Sequence, residues 1–272
     1  MCCYNRGAMS ASEDELLAVA HEAASAAAVE LMSRFGGHLR GVRTKSTATD
    51  PVSEADLAGE AAIRRVLGER RPGDAILGEE GGESGDGELR WVVDPLDGTV
   101  NYLFGIPQFS VSVACQDRDG MVVGVVFDPV REETFAATRS GPPTLNGAEI
   151  AGSTREDLAT ALVSTGFAYD AAVRAKQALV MERLLPRVRD IRRAGSAALD
   201  LAWLACGRYD AYYERGVNLW DYAAGGLIAA RAGLSVRELA PAEDGPAGLA
   251  AAAPALMDPL LGLILNGAPP SA

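Results

Sequence analysis

Apolar residues recur at helical spacing from Leu16 through Val19, Ala20, Ala23, Ala27 and Leu31, and Gly36-Gly37 ends the run. Ahead of it, Ser12-Glu13-Asp14-Glu15 has capping-box form, which predicts the start of a long first helix. A second box, Ser53-Glu54-Ala55-Asp56, precedes Ala61, Ile63, Val66 and Leu67 and predicts a second helix. Residues 39–51 between them are polar and read as a loop over a site, with Lys45 as a cation near substrate. The pattern then changes to short apolar runs. Residues 75–77 and 91–93 suit buried strands, and Pro95, which cannot donate to a ladder, predicts that pairing stops there. Residues 110–115 alternate, Asp119-Gly120 is a hairpin turn, and 121–127 and 133–138 continue an antiparallel sheet. Glu83 to Glu88 reads as an acidic loop, and Pro142-Pro143 and Asn146-Gly147 as turns.

The second half has another rhythm: strand 161–164, helix 171–185, strand 191–193, a helix opened by Gly195-Ser196 and closed by Gly207, strand 209–213, helix 220–232 and strand 235–239. Such alternation predicts an α/β fold of mixed sheets covered by helices. Residues 241–254, rich in Ala, Gly and Pro, read as a surface loop, and 259–265 as a short closing helix.

Charge narrows the function classes. With 25 basic against 37 acidic side chains the net charge is −12, which argues against sequence-independent binding to nucleic acid or to anionic membranes. A phosphate-bearing substrate would then need cations supplied locally. Cys2, Cys3, Cys115 and Cys206 form no CxxC pair, so neither a disulfide framework nor a zinc site is indicated, and reduced thiols in a cytoplasm are expected. No run approaches 18 apolar residues, and the start lacks a signal-peptide core. Residues 1–10 read as a frayed tail, with Met9 as an alternative start. His21 and His38 read as surface residues.

The chemistry sits at element ends. Asp94 and Asp97 flank the mouth of the predicted strand; carboxylates about 4 Å apart repel by roughly 4 kcal/mol at an effective dielectric near 20, so a proton or a cation is expected between them. Gly98 supplies backbone freedom and Thr99 a helix start whose N–H groups can face an anion. Glu79 ends another strand among glycines, and Asp221 follows Trp220 at a helix start. Oxygen-only ligands favour Mg²⁺ over Zn²⁺. Singly, each has an ordinary account: Asp56 and Asp221 as helix-start carboxylates, Glu79-Glu80 as a solvated turn.

As an ordered set they point further. Asp94-Pro95-Leu96-Asp97-Gly98-Thr99-Val100-Asn101 resembles the signature of the inositol monophosphatase family, and Trp220-Asp221-Tyr222-Ala223-Ala224-Gly225 its second signature. Gly78-Glu79-Glu80, Arg193-Ala194-Gly195-Ser196-Ala197-Ala198 and Asp210-Ala211-Tyr212-Tyr213-Glu214 fit in the same order. The resemblance implies a layered αβαβα sandwich of the inositol monophosphatase and fructose-1,6-bisphosphatase type, and a Mg²⁺-dependent, lithium-sensitive phosphomonoesterase, commonly a homodimer. It assigns Glu79, Asp94 and the Leu96 carbonyl to one metal, Asp94, Asp97 and Asp221 to a second, and Glu79 with water to a weaker third. Asp56 and Thr99 would orient and deprotonate the attacking water, with Glu79 beside them. The backbone of Gly98 and Thr99 would hold the phosphate, while Gly195, Ser196, Ala197, Glu214 and Asp221 would face the polyol. Residues 11–152 would then carry the metal motifs and 153–272 the specificity residues, in one catalytic unit. The expected substrate is myo-inositol 1-phosphate. Alternatives are histidinol phosphate, fructose 1,6-bisphosphate and 3′-phosphoadenosine 5′-phosphate, or a non-catalytic regulatory protein that docks on transcription machinery.

Overall fold

Both capping boxes close in the computed structural model, which describes residues 11–36, 43–44, 51–242 and 245–265. Ser12 and Glu15 start α1 (Glu13–Met32). After the two-residue ladder β1 (Arg43–Thr44) and β2 (Pro51–Val52), Ser53 and Asp56 start α2 (Glu54–Arg70). There follow β3 (Ala75–Gly78), β4 (Gly82–Ser84), β5 (Arg90–Asp97), α3 (Thr99–Leu103), β6 (Ser110–Asp117), β7 (Gly120–Asp128), β8 (Glu133–Thr138), β9 (Thr144–Leu145) and β10 (Ala148–Glu149). The remainder comprises β11 (Leu162–Thr165), α4 (Ala171–Leu184), β12 (Asp190–Arg192), α5 (Ala197–Ala205), β13 (Ala211–Arg215), α6 (Leu219–Arg231), β14 (Ser235–Leu239), β15 (Gly248–Ala252) and α7 (Pro254–Leu265).

These elements stack in five layers. An eight-stranded sheet runs β10-β9-β8-β7-β6-β5-β3-β4 and a five-stranded one β12-β11-β13-β15-β14. α1 and α2 cover one face of the larger sheet, α5 and α6 fill the space between the sheets, and α4 and α7 lie outside the smaller one. The αβαβα sandwich is thus the observed architecture. Each layer buries its own apolar stripe: Leu16, Val19, Ala23, Ala27 and Leu31 of α1 press on the larger sheet, whereas Ala198, Leu201, Ala224 and Ile228 join the sheets from within.

Three expectations need correction. Pro95 does not end β5: the β3 ladder has its last pair at Gly78 and Val93, and on the other side the register shifts between Asp94 and Asp97, so no partner needs the missing N–H. Residues 110–115 do form a strand, and all six are buried on both faces because α1 and α6 cover the two sides of β6. The acidic loop is partly strand, β4 pairing back on β3. Most tellingly, the Ala- and Gly-rich stretch 241–254 is no surface loop throughout, since β15 within it is fully buried and paired on both sides, to β13 and to β14. Pairing on two edges overrides the weak strand propensity of Gly and Ala. His21 is half-buried on α1, and burial lowers its pKa. Lys45, His38 and the 1–10 tail lie outside the described residues, among which no helix is long and apolar enough to cross a membrane.

Candidate active site

The carboxyl end of β5, the ends of β3 and β13 and the starts of α3, α5 and α6 converge on one cleft of about 660 Å³. Strand ends and helix starts are where unpaired backbone N–H groups and rigidly aimed side chains coincide.

Asp94, Asp97 and Asp221 each offer an oxygen such that the three atoms lie within 4.8 Å of one another. Each carboxylate is also held by an internal hydrogen bond. Asp94 Oδ1 accepts from the Leu96 N–H at 2.9 Å. Asp97 Oδ2 accepts from the Ser196 hydroxyl at 2.6 Å and the Ala198 N–H at 2.7 Å. Asp221 Oδ2 accepts from the Asn218 N–H at 2.6 Å, closing a capping box at the start of α6. Local cap and cluster member are therefore one and the same residue. Glu79 lines the same cleft just beyond Gly78 of β3, its backbone N–H bonded to the Val93 carbonyl at 3.3 Å.

This packing is electrostatically costly. Burial, then the charges of Glu79, Asp97 and Asp221, push the Asp94 carboxyl well above the usual range. Burial, then Asp97 and Glu79, do the same to Asp221. Burial raises Asp97 to about 6 against the opposing hydrogen bonds from Ser196 and Ala198. Such a set of oxygens binds protons at low pH and suits a hard divalent cation at neutral pH.

Asp56 lies wholly buried behind the cleft. Its Oδ2 accepts from the N–H and hydroxyl of Ser53 at 2.8 and 2.6 Å, while Oδ1 accepts from the Thr99 hydroxyl at 2.9 Å. The same hydroxyl lies 3.1 Å from the Leu96 carbonyl. Asp56 is thus both the helix-start carboxylate of local reading and the partner of a cleft threonine 43 residues away.

Gly98 turns the chain from β5 into α3 with φ +105°, and a Cβ there would lie 3.0 Å from the Gln108 carbonyl and 3.2 Å from that of Gly195. Gly98→Ala is expected to lose about 1–3 kcal/mol of stability through strain and this crowding, read as a lower urea midpoint; an unchanged midpoint refutes it. No side chain caps the start of α3, and its first N–H groups have no intrahelical acceptor there, beside the cleft that Gly98 and Thr99 line.

Across the cleft stand Gly195, Ala197 and Glu214. Glu214 accepts from the Tyr212 hydroxyl at 3.2 Å, and burial raises its carboxyl to about 7 against the opposing charge of Arg193. Ser196 does not line the cleft with its neighbours: its buried hydroxyl is turned to Asp97 and Ser110. Arg192 pairs with Asp190, whereas Arg193 lines the cleft.

Sequence reasoning missed two contributors. Asn101 Nδ2 donates to the carbonyls of Gln108 and Ala194, tying α3 to the loop before α5. Asp200, buried on α5, has its pKa raised by burial and then by Glu214 and Asp97. An acid within the apolar run Ala197-Ala198-Leu199-Asp200-Leu201 was the available signal.

Comparison with known proteins gives a consistent result. The sequence profile described as the inositol monophosphatase family matches residues 12–261. The chain is 46% identical over 245 residues to the inositol-1-monophosphatase of Mycobacterium leprae, covering 84% of each. It is 45% identical over 185 residues to the Nus factor SuhB of Xylella fastidiosa, covering 68% of this chain and 67% of that one. Its fold is similar to the crystal structure of the extragenic suppressor protein SuhB from Bartonella henselae, with a TM-score of 0.86, 33% identity and coverage of 93% and 99%.

Proposed function

The chain belongs to the inositol monophosphatase family, and from that premise we propose that it hydrolyses myo-inositol 1-phosphate, or a similar small polyol phosphate, to the free polyol and phosphate. The observation that carries this reading is the convergence of Asp94, Asp97 and Asp221 within 4.8 Å in a cleft that also holds Thr99 and Glu214.

Magnesium is the cation the oxygen donors suit best. Glu79, Asp94 and the Leu96 carbonyl would hold one ion and Asp94, Asp97 and Asp221 a second, with a third leaning on Glu79. When bound, such ions offset the charge of the phosphate ester and make the attacking water more acidic. The protein's own residues do the rest. Asp56, fixed by Ser53, accepts the Thr99 hydroxyl proton, which leaves the Thr99 oxygen lone pairs free to accept from the attacking water and draw its proton toward the buried carboxylate. The backbone N–H groups of Gly98 and Thr99 receive the phosphate oxygens. Glu214 accepts from ring hydroxyls, and Gly195 and Ala197 shape the wall beside them. Residues 11–152 and 153–272 act together, because the cleft draws side chains from both.

We also propose lithium sensitivity, a homodimer and a cytoplasmic setting, with no direct role for nucleic acid or membrane. Turnover with Mg²⁺ on four substrates tests the assignment. Inositol 1-phosphate is expected to give the highest kcat/KM, ahead of histidinol phosphate, fructose 1,6-bisphosphate and 3′-phosphoadenosine 5′-phosphate. A preference of about tenfold or more for the bisphosphate or the nucleotide, roughly 1.4 kcal/mol in transition-state binding, overturns it.

The likeness to a protein named as a Nus factor favours one second reading, a regulatory protein that binds transcription machinery. Capture of RNA polymerase components by the purified chain, together with no turnover on any of the four esters, would replace the first reading with this one.

A further inference from the structure

Glu214 occupies volume that any side chain at residue 166 would take. Thr165, the last residue of β11, pairs with Tyr213 in the parallel ladder, which brings residue 166 alongside Glu214. A Cβ built on Gly166 would lie 2.0 Å from Glu214 Oε1, 2.1 Å from Cδ and 2.3 Å from Oε2. No pair of unbonded heavy atoms tolerates such an approach, so methyl and carboxylate exclude each other. The backbone of Gly166 lies outside the left-handed region, so its glycine answers a need for room and not for an unusual turn. The strand is held close by the Thr165 hydroxyl, which donates to the Tyr213 carbonyl at 2.7 Å. On the far side of β13, a Cβ on Gly248 would lie 2.1 Å from the Glu214 carbonyl oxygen. Glu214 therefore sits between two glycine backbones, one against its carboxylate and one against its main chain, and the Tyr212 hydroxyl holds Oε2 from below at 3.2 Å.

We propose that Gly166 is a positioning residue that sets where the Glu214 carboxylate meets the substrate, and so how strongly the cleft prefers polyol phosphates to phosphate esters without ring hydroxyls. The inference rests on the polyol contact proposed above for Glu214. A methyl group at residue 166 must drive the carboxylate off the Tyr212 hydroxyl and out of register with the ring hydroxyls, while Asp94, Asp97 and Asp221 keep their own bonds to Leu96, Ser196, Ala198 and Asn218.

The test measures kcat and KM of Gly166→Ala with saturating Mg²⁺ on inositol 1-phosphate and on p-nitrophenyl phosphate, which has no ring hydroxyls. KM for inositol phosphate is expected to rise about tenfold or more, as for loss of one charge-assisted hydrogen bond, with p-nitrophenyl phosphate turnover within about twofold of wild type. Glu214→Asp, one methylene shorter, makes room for the new methyl, so Gly166→Ala/Glu214→Asp is expected to lose less selectivity than the two single losses multiplied. An unchanged selectivity in Gly166→Ala, with reduced selectivity in Glu214→Gln, overturns the positioning role. Unchanged selectivity in Glu214→Gln overturns the polyol contact itself, and the proposal with it. Should Gly166→Ala not fold, Gly166→Ala/Glu214→Ala is expected to fold and to match Glu214→Ala in kinetics. Failure of that double variant to fold overturns the proposal, because the clash would then lie elsewhere.

Discussion

Asp97→Asn is expected to lower kcat/KM on inositol 1-phosphate by about 10³-fold or more, roughly 4 kcal/mol of transition-state stabilisation, with the fold intact. The geometry separates the two outcomes. Asp97 Oδ2 is an acceptor for the Ser196 hydroxyl and the Ala198 N–H, and an amide oxygen accepts from both, so the start of α5 keeps its anchor. What the amide cannot supply is the negative charge that, with Asp94 and Asp221, would retain a cation. Steady-state kinetics in Mg²⁺ beside a thermal melt read the two effects independently. Normal turnover contradicts the proposed mechanism, and a collapsed melt contradicts the anchoring argument.

Without metal, the melting temperature is expected to fall by several degrees between pH 5 and pH 8, and Mg²⁺ is expected to remove most of that fall. Burial raises Asp97 to about 6 and Glu214 to about 7, and raises Asp94 and Asp221 well above the usual range. In the unfolded chain these acids titrate near their ordinary values, about 4. Between that value and the folded one, the native state binds more protons than the unfolded state, so stability grows as pH falls through about 7 and 6 and is lost as pH rises through them. For Asp97 the part of the shift that lies above pH 5 is worth about 1.4 kcal/mol, and a few degrees for a chain of this size. His21, whose pKa is lowered by burial, opposes the trend, since its folded form resists protonation as pH falls through its ordinary range. Calorimetry in chelator and in excess Mg²⁺ isolates the acids' share. A metal-free protein that melts higher at pH 8 than at pH 5 contradicts the repulsion described at the site.

Much of this is legible in the sequence. Helices α1 and α2 announced themselves by reciprocal capping boxes, a signal contained within four residues and one that also set their first turns. Strand β15 was not legible, because its identity comes from neighbours on both edges that its own Gly and Ala cannot announce. Pro95 misled for a similar reason: whether a missing N–H ends a strand depends on whether a partner waits opposite, and here a register shift removes the partner. At the cleft, motif order found Asp94, Asp97 and Asp221, yet Ser196 was expected to face substrate where its hydroxyl in fact turns back to Asp97. Gly166 left no trace in the sequence, since the observation that singles it out is a Cβ position 2.0 Å from the carboxylate of a residue 48 positions on, a closeness that only packing reveals.

Asp56 and Asp221 each occupy the third position of a helix and each close its capping box, so neither can be lost without fraying the helix it begins. A lineage that abandoned catalysis altogether would still be held to both acids by selection for a stable fold. Their persistence in a distant descendant is thus a record of architecture as much as of chemistry.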